Sequence, residues 1–540
     1  MGGGDGLSQS TPFRVSDFWS VAVPGKSLCL LDGVYRGPDS TIAPPDNLSG
    51  ASGAPISVRA LNDGAVRIDG ESVNDPILLG YNSWFVVEGI NAHNGVGSVV
   101  ALSRGAQFNV IRRVVAWDAK DENNEVVGAH YCGPNLLEDV AAFGVGRKTF
   151  QFSQGGDDTT CRRCWGRWEG STNVGPKTTL EVVYNNYRAL VENFIGTWNG
   201  GSMPASYTRQ HNGVRWAGSA GVPAGTFSGD EPDQPCGIIC GGANNSSQLD
   251  PNAYARVLGS MVYVPAGARF QGGAGLTFGS IPELEVANTA VFIDHTSFPS
   301  LLTIDLSGNE QGNAAHHLTS VGGAGANIAG GWNPSNVVQG QTVTALPSVF
   351  SSTAGAQLCF RYQDGVLTDQ PLWPWPMNRR ILEATTLAAE AGHRHWVYQG
   401  DPPMLTLYTQ PHAVADVTAE IEAAFGLIPP ACRSSQPPTD AGVGEPDAGA
   451  RPPDGGSDGG EFATDAGVPQ LDGGSSGTDA EPGDAGPGAE RSVLGGCSCS
   501  SPSATPIIVL ALVALRRSGA RGSKSRLQVA TSADLLSPGK

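Results

Sequence analysis

Phe85-Val-Val-Glu-Gly-Ile-Asn-Ala-His93 and Asn109-Val-Ile-Arg-Arg-Val-Val-Ala-Trp117 are two copies of one short pattern, and its recurrence decides the fold. Each copy has apolar residues, a charged residue, a polar residue or glycine, and then apolar residues again. Three further copies occupy residues 135–143, 160–168 and 189–198. Most copies follow a second short apolar segment. No 3.6-residue periodicity runs through this region, which argues against helical repeats.

The charged position of the pattern recurs about once per coil of a β solenoid. The steps are 24, 26, 24 and 30 residues, and the residues are Glu88, Arg112, Glu138, Arg162 and Glu192. Equivalent residues of successive coils stack about 4.8 Å apart, where like charges would repel each other. The alternating signs therefore favour a stacked ladder and predict an all-β chain folded as a parallel β-helix.

The composition agrees with a β fold rich in turns. The chain of 540 residues contains Gly 74 and Pro 38, and only 16% of its residues are charged. The net charge is −18, and residues 434–496 contribute −10 of it, from twelve acidic residues and two arginines. This acidity argues against nucleic acid as a partner. We expect a monomer.

The pattern divides the chain into five segments. The β-helix is predicted over residues 1–329, with a loop insertion at about 200–252. Residues 330–432 are predicted to form a cap with short helices, one near Asn378 and one with Asp416 as its N-cap. We expect this cap to cover the open end of the solenoid. Residues 433–496 are predicted to be a disordered Asp/Gly/Pro-rich linker, and the role of residues 518–540 stays open.

A short signal-like motif lies at residues 497–517. It comprises Cys497 and Cys499 among small residues, an apolar stretch, and Arg516 and Arg517. This order resembles the C-terminal sorting signal of myxobacterial surface proteins, although the apolar stretch is shorter than the roughly 20 residues of a membrane span. The resemblance implies a secreted protein held at the cell surface or outer membrane, with membrane contact only through this signal. Because residues 1–5 do not resemble a signal peptide, we expect one to be missing upstream of Met1.

Ten cysteines are present, and two pairs have spacings that a zinc site could use. These pairs are Cys161-x-x-Cys164 and Cys236-x-x-x-Cys240. We interpret the cysteines instead as buried thiols or disulfides of an exported protein.

Pro24-Gly-Lys-Ser-Leu-Cys-Leu-Leu-Asp-Gly-Val-Tyr35 combines a Pro-Gly turn, a short strand and Gly-x-Tyr. It resembles the opening of proteins in the pectate-lyase-like superfamily of right-handed β-helices. The resemblance extends over roughly residues 12–323. It implies a right-handed coil and a polysaccharide partner, but the superfamily includes lyases, hydrolases, epimerases and adhesins. No catalytic residue carries over by motif.

Cleavage of a uronate polymer by β-elimination needs a cation for the substrate carboxylate, a base and an acid. The basic stretch between residues 130 and 188 supplies these types in an acidic chain. Its candidate catalytic residues are Lys148, Arg167, Arg147, Lys177, His130 and Tyr184. The candidate substrate-binding residues are Arg163, Trp117, Trp168 and Trp198, where the tryptophans are either sugar platforms or core. We expect Arg112 and Arg162 only to pair with stacked glutamates.

Acidic residues suggest two further possibilities. Asp118, Asp121 and Glu122 could bind calcium through carboxylate oxygens, or could form a solvated turn. A hydrolase would need two carboxylates facing across a groove, for which Asp139, Asp157 and Glu169 are candidates. We therefore predict a surface-anchored lyase acting on an anionic polysaccharide. The alternatives are a glycoside hydrolase and a non-catalytic glycan-binding adhesin or matrix protein.

Overall fold

A computed structural model provides the structure of the chain. It describes residues 4–120, 124–170, 178–183, 186–198, 237–242, 254–264, 274–279, 283–293, 302–306, 314–316, 318–322, 327–330, 337–338, 358–390, 394–397, 404–407, 416–426, 432 and 493–495. Several predicted features lie outside these residues. They are most of the insertion at about 200–252, of which only residues 237–242 are described, most of the linker, the 497–517 motif and the tail after it.

The described strands are short and follow one another closely. In chain order the first are β1 Ser27–Leu30, β2 Gly33–Arg36, β3 Ile56–Ala60, β4 Val66–Asp69, β5 Ile77–Gly80, β6 Phe85–Glu88, β7 Ile90–His93, β8 Val100–Ser103, β9 Asn109–Arg112, β10 Val115–Trp117, β11 Glu125–Cys132 and β12 Asn135–Glu138. Next are β13 Ala141–Val145, β14 Lys148–Gly156, β15 Thr160–Arg162, β16 Trp165–Gly170, β17 Thr178–Val183, β18 Ala189–Glu192, β19 Ile195–Trp198, β20 Gly237–Gly242, β21 Tyr254–Leu258, β22 Met261–Val264, β23 Ala274–Gly279 and β24 Glu283–Ala287. The last are β25 Ala290–Ile293, β26 Leu302–Leu306, β27 Ala314–His316, β28 Leu318–Gly322, β29 Asn327–Gly330, β30 Val337–Val338, β31 Phe360–Gln363, β32 Val366–Pro371, β33 Arg394–Val397, β34 Met404–Leu407 and β35 Val493–Gly495.

Helices are few among the described residues. They are α1 Val15–Phe18, α2 Asn378–Glu390 and α3 Val417–Phe425, with a 3-10 turn at Pro38–Ser40. As predicted, Asp416 caps α3, and its carboxylate accepts a hydrogen bond of 3.0 Å from the Ala419 amide. Gly426 ends α3 in the left-handed conformation at φ 65°.

The strands build three long sheets by taking every third strand in turn. Sheet 1 has the order β27-β24-β21-β18-β15-β12-β9-β6-β3-β1-β35, sheet 2 runs from β2 and β4 through β7 to β30, and sheet 3 runs from β5 to β29. Every pairing within them is parallel except that of β35, which is antiparallel to β1. The chain is therefore an all-β, right-handed parallel β-helix, as predicted. It continues to β30, slightly beyond the predicted limit at residue 329.

The core lies inside the coil, because alternate side chains of each sheet point inward. Stacked apolar residues of the three sheets fill it, such as Ile111, Ala116, Phe150, Leu180 and Trp198. Helix α1 contributes Val15 and Phe18 to the same core.

The predicted charge ladder is confirmed on the outer face of sheet 1. Glu88 pairs in register with Arg112, Arg112 with Glu138, Glu138 with Arg162, and Arg162 with Glu192. The Arg112 Nε lies 2.8 Å from Glu138 Oε2, and the Arg162 Nε lies 2.7 Å from Glu192 Oε2. Arg112 and Arg162 therefore pair with stacked glutamates, as expected for residues without a further role.

A tight turn joins sheet 1 to sheet 2 in each coil. The residue after the sheet 1 strand is left-handed in successive coils, for example at Arg113 (φ 52°), Asp139 (54°), Arg163 (50°) and Asn193 (50°). Because the chain direction changes at this residue, Cys161 before it and Cys164 after it both point into the core. They are buried free thiols, in agreement with the interpretation made from the sequence.

The described residues between 358 and 426, here termed the 358–426 segment, belong to the predicted cap but pack along the side of the solenoid. Outward-facing apolar residues of sheet 2 form one cluster with this segment, and they include Val115, Trp117, Phe143, Trp165, Ile195, Met261 and Phe292. The segment contributes Leu372, Trp375 and Met377, together with Ile381 of α2 and Ile421 and Phe425 of α3. Sheet 2 is apolar on both faces and therefore needs a cover on its outer side. A disulfide links Cys359 of this segment to Cys432.

An aromatic stack runs along the outer face of sheet 2 and begins at a histidine. The His93 ring lies 4.6 Å from that of Trp117 at an interplanar angle of 2°, and Trp117 lies 5.6 Å from Phe143. His93 Nδ1 is 3.7 Å from Asp69 Oδ1. Burial nevertheless lowers the pKa of His93 to about 4, against the attraction of Asp69.

This pKa predicts a pH-dependent stability. Between about pH 6.5 and pH 4 the unfolded chain binds a proton at residue 93 that the folded chain does not. The free energy of unfolding therefore falls as the pH falls through this window, by on the order of 3 kcal/mol. We expect His93→Phe to flatten the change of the urea midpoint between pH 7.5 and 4.5.

His93→Asn serves as the matched variant, because it removes the titrating group and also the stacked ring. It should show the same flattened slope at a lower stability at every pH. If the urea midpoint of both variants changed with pH as it does in the wild type, the assignment of this pH dependence to His93 would be wrong.

Candidate functional site

Polar side chains gather on the outer face of sheet 3. In β11, β14 and β17, the apolar residues Val127, Ala129, Phe150, Phe152 and Leu180 point into the core. Gln151 and Glu181, which alternate with these apolar residues, therefore point outward. Hydrogen bonds and an ion pair join the remaining members of this group to one another. The group, here termed the sheet-3 cluster, comprises Ser98, Glu125, His130, Lys148, Gln151, Ser153 and Glu181.

The register brings this cluster together from four successive coils. Glu125 pairs with Lys148, His130 with Ser153, and Gln151 with Glu181. Paired residues lie about 4.8 Å apart along the helix axis. Residues far apart in sequence therefore face one another as a direct result of coil stacking.

A chain of hydrogen bonds crosses the cluster through His130. Its Nε2 lies 2.7 Å from Glu125 Oε1, and its Nδ1 lies 2.7 Å from Ser153 Oγ. The Ser98 hydroxyl also donates to Glu125 Oε1, over 2.7 Å. Burial alone would raise the pKa of Glu125, but the contacts with His130 and Ser98 outweigh it and hold this pKa below its usual range. Glu125 is therefore an ionised acceptor that orients the imidazole.

Lys148 is the second titratable centre of the cluster. Its Nζ lies 2.9 Å from Glu181 Oε2, which also accepts a 2.5 Å hydrogen bond from Gln151 Nε2. Only 3% of the Lys148 side chain is exposed, whereas 20% of the His130 side chain is. Burial lowers the pKa of Lys148, assisted by Arg147 and opposed by Glu181. A lysine with a lowered pKa is a stronger acid than an exposed one.

Gly128 leaves the space in which Glu125 and His130 meet. It lies on the outer face between these two residues of β11. A Cβ atom at this position would overlap Glu125 Oε1 and lie 2.7 Å from His130 Nε2. A side chain at residue 128 would therefore separate the carboxylate from the imidazole.

The structure brings together three of the six predicted catalytic residues. Lys148 and His130 belong to the cluster, and Arg147 precedes Lys148 and acts on its pKa. Lys177 and Tyr184 lie outside the described residues. Arg167 lies elsewhere, on the outer face of sheet 2, where its guanidinium is 5.7 Å from the Trp165 ring centroid. It forms an ion pair with Glu169 beside α3, so the prediction that it joins Lys148 is corrected.

The predicted substrate-binding residues are buried and do not face a ligand. Trp117 belongs to the stack covered by the 358–426 segment. Trp168 and Trp198 stack on each other at 4.2 Å, with both side chains in the core. Arg163 is buried and donates to Asp139 Oδ1 over 2.8 Å. These four residues stabilise the solenoid, and their assignment to sugar binding is corrected.

Among the predicted calcium ligands, only Asp118 is described. It is buried in a turn, and its Oδ1 accepts a 3.0 Å hydrogen bond from the Val145 amide. Within the described ranges no group of three or more His, Cys, Asp or Glu side chains is placed to hold a metal ion. Asp121 and Glu122 lie outside the described residues, so the calcium site stays a prediction.

The carboxylates considered for a hydrolase do not converge. Asp139 lies in the turn after sheet 1 and is bound by Arg163. Glu169 lies on sheet 2 beside Arg167. Asp157 follows sheet 3 and accepts a hydrogen bond from the Tyr187 amide. Two other carboxylates, those of Glu125 and Glu181, belong to the sheet-3 cluster, and neither was predicted from the sequence.

Comparisons with known proteins give similarity at the level of solved structures alone. No family model and no curated protein matches the chain. A pectate lyase structure matches with a TM-score of 0.37 and 14% identity, covering 64% of this chain and 77% of that one. An alginate lyase from Paenibacillus sp. strain FPU-7 matches at 0.32 and 10%, covering 61% and 95%. A mannuronic acid specific family 6 lyase from human gut microbiota matches at 0.29 and 13%, covering 56% of this chain and 55% of its own.

The contact between Glu125 and His130 can be tested through Gly128. We expect Gly128→Ala to break it, since the added methyl group overlaps Glu125 Oε1. Two-dimensional ¹H–¹⁵N NMR of the histidine rings should show loss of the hydrogen-bonded His130 Nε2 signal, assigned through His130→Gln.

Gly80→Ala is the matched control. Gly80 lies on the same sheet, and its added Cβ would meet only ordinary contacts, the nearest at 3.6 Å to Ser103 Oγ. A His130 signal retained in Gly128→Ala would contradict the described geometry.

Proposed function

We propose that this protein is a polysaccharide lyase that cleaves a uronate-containing polymer by β-elimination on the outer face of sheet 3. The observation that carries the proposal is that an oriented histidine, His130, and a buried lysine of lowered pKa, Lys148, lie on neighbouring coils and both interact with Glu125. β-Elimination needs a base and an acid side by side, and these two groups provide them.

In this mechanism His130 is the base. Glu125 accepts a hydrogen bond from Nε2–H and so leaves the Nδ1 lone pair to take the substrate C5 proton once Ser153 Oγ has moved aside. The same carboxylate then stabilises the imidazolium that forms. The C5 electron pair forms the new C4–C5 double bond, and the C4–oxygen bond breaks.

Lys148 is the acid that protonates the leaving oxygen. Its ammonium group lies against Glu181, which holds it in place. Burial lowers the pKa of Lys148 and so makes it a stronger acid. After the reaction His130 carries the C5 proton and Lys148 has lost one, so a transfer between them through solvent restores the starting state.

The state of the carboxylates favours a lyase over a hydrolase. A glycosidase acid must keep a proton on one carboxyl group. Here the contacts of Glu125 with His130 and Ser98 hold its pKa below the usual range, which favours its ionised form. Glu181 accepts hydrogen bonds from both Lys148 and Gln151.

Export and attachment to the cell surface form part of the proposal. The Cys359–Cys432 disulfide and the disulfide-bonded state of Cys29 support an oxidising compartment. The described helices include none long and apolar enough to cross a membrane. The proposed attachment relies on Cys497, Cys499, Arg516 and Arg517, and cell fractionation of a chain truncated after residue 496 tests it.

The lyase proposal predicts a rise in ultraviolet absorbance from unsaturated uronate ends. The full chain is incubated with pectate, alginate and glycosaminoglycans, with and without calcium. We expect at least one polymer to give the rise, and His130→Ala and Lys148→Ala to reduce its rate by on the order of 10²-fold or more.

Arg379→Gln is the control, because it removes a cation whose side chain is 90% exposed on α2. It should cleave at the unaltered rate. New reducing ends without absorbance would instead indicate a hydrolase, and binding without cleavage would indicate an adhesin. Either outcome contradicts the lyase proposal.

A further inference from the structure

A row of exposed residues borders the sheet-3 cluster. Each of these exposed residues follows a residue at one register position of sheet 3. On four successive coils this position is occupied by Gly80, Ser103, His130 and Ser153. The residues that directly follow the first three are Tyr81, Arg104 and Tyr131, here termed the tyrosine–arginine strip. Their backbones are left-handed, with φ of 60°, 54° and 48°.

The side chains of the strip are unusually open to solvent. Tyr81 is 47% exposed and Tyr131 is 62% exposed. Among the described residues, these are the tyrosines that count as exposed large hydrophobic side chains. Arg104 is exposed as well. Within the described residues it forms no ion pair, in contrast to Arg112, Arg162, Arg163 and Arg188.

Exposure sets these residues apart, as does the lack of an ion pair at Arg104 within the described part of the chain. Their left-handed backbone is shared by other turns of the solenoid, for example at Arg113 and Arg163, but those side chains pair with aspartates. Exposed rings gain little stability from burial. Two exposed rings beside an exposed cation that forms no ion pair within the described residues therefore point to a ligand.

The strip is continuous with the proposed active site. Tyr131 follows His130 directly in β11. Arg104 follows Ser103, the residue paired with His130, and its Cδ lies 3.8 Å from the position that a Cβ on Gly80 would occupy. The Arg104 side chain therefore lies over the outer face of sheet 3, at the register position of the base.

We infer that the tyrosine–arginine strip binds an anionic polysaccharide that lies parallel to the solenoid axis. The inference rests on the proposed function and assigns its substrate subsites. Coil stacking places Tyr81 and Tyr131 about 10 Å apart with Arg104 between them. The rings offer apolar faces to sugar C–H groups, and the guanidinium pairs with a uronate carboxylate through two hydrogen bonds.

The test measures binding without turnover. The parent is the full chain carrying Lys148→Ala, with Lys148→Gln as a second parent if the first does not fold by circular dichroism. Calorimetry follows the binding of size-defined oligogalacturonates and alginate oligosaccharides, with neutral cello-oligosaccharides as the uncharged probe. Arg104→Gln and Tyr131→Ala are added to the parent, and Arg379→Gln is the control at a distant exposed arginine.

We expect Arg104→Gln to weaken the binding of an acidic oligosaccharide at least tenfold and to leave any neutral binding unaltered. Tyr131→Ala should weaken both, and Arg379→Gln neither. Unaltered affinity in Arg104→Gln and Tyr131→Ala, or no binding of any acidic probe to the parent, would overturn the inference. If Arg104→Gln loses binding but the wild-type chain cleaves no polymer, the strip remains the binding site and only the lyase proposal is rejected.

Discussion

Every feature of this chain depends on the stacking of coils in register. Each residue of a parallel β-helix faces its equivalents in the coils on either side, about 4.8 Å away. Its neighbours are therefore fixed by the repeat and not by sequence separation. Inside the coil this constraint selects stacked apolar residues. On sheet 1 it selects alternating signs, from Glu88 to Glu192, since equal charges at this spacing would repel.

The same constraint gives the three outer faces different roles. Sheet 1 carries paired charges that are already satisfied. Sheet 2 carries an aromatic and aliphatic row that the 358–426 segment covers. Sheet 3 carries titratable groups, with Glu125 against His130 and Lys148 against Glu181. Its polar side chains form two hydrogen-bonded groups, one around Glu125 and His130 and one around Lys148 and Glu181.

The fold could be predicted from the sequence because the repeat is visible at a single charged position. The helix over residues 417–425 was equally visible through its Asp416 cap.

The site was only half predictable. Lys148 and His130 stood out by residue type, but type does not reveal which of three outer faces a residue occupies, and so Arg167 and Arg163 were grouped with them. Glu125 could not be placed from the sequence because Val126 and Val127 both join the core and break the period of two in β11. The cover over sheet 2 could have been expected from two rows of stacked, mostly apolar residues. These rows are Asn91, Val115 and Ala141, and His93, Trp117 and Phe143.

We propose that the outer face of sheet 3 binds the polysaccharide. A crystal structure of the Lys148→Ala chain soaked with an oligogalacturonate or an alginate oligosaccharide tests this. We expect sugar density along the solenoid axis over Gly128 and Gln151, with a ring against Tyr131 and a carboxylate on Arg104. Sugar bound instead on sheet 1 or at the 358–426 segment would contradict the proposal.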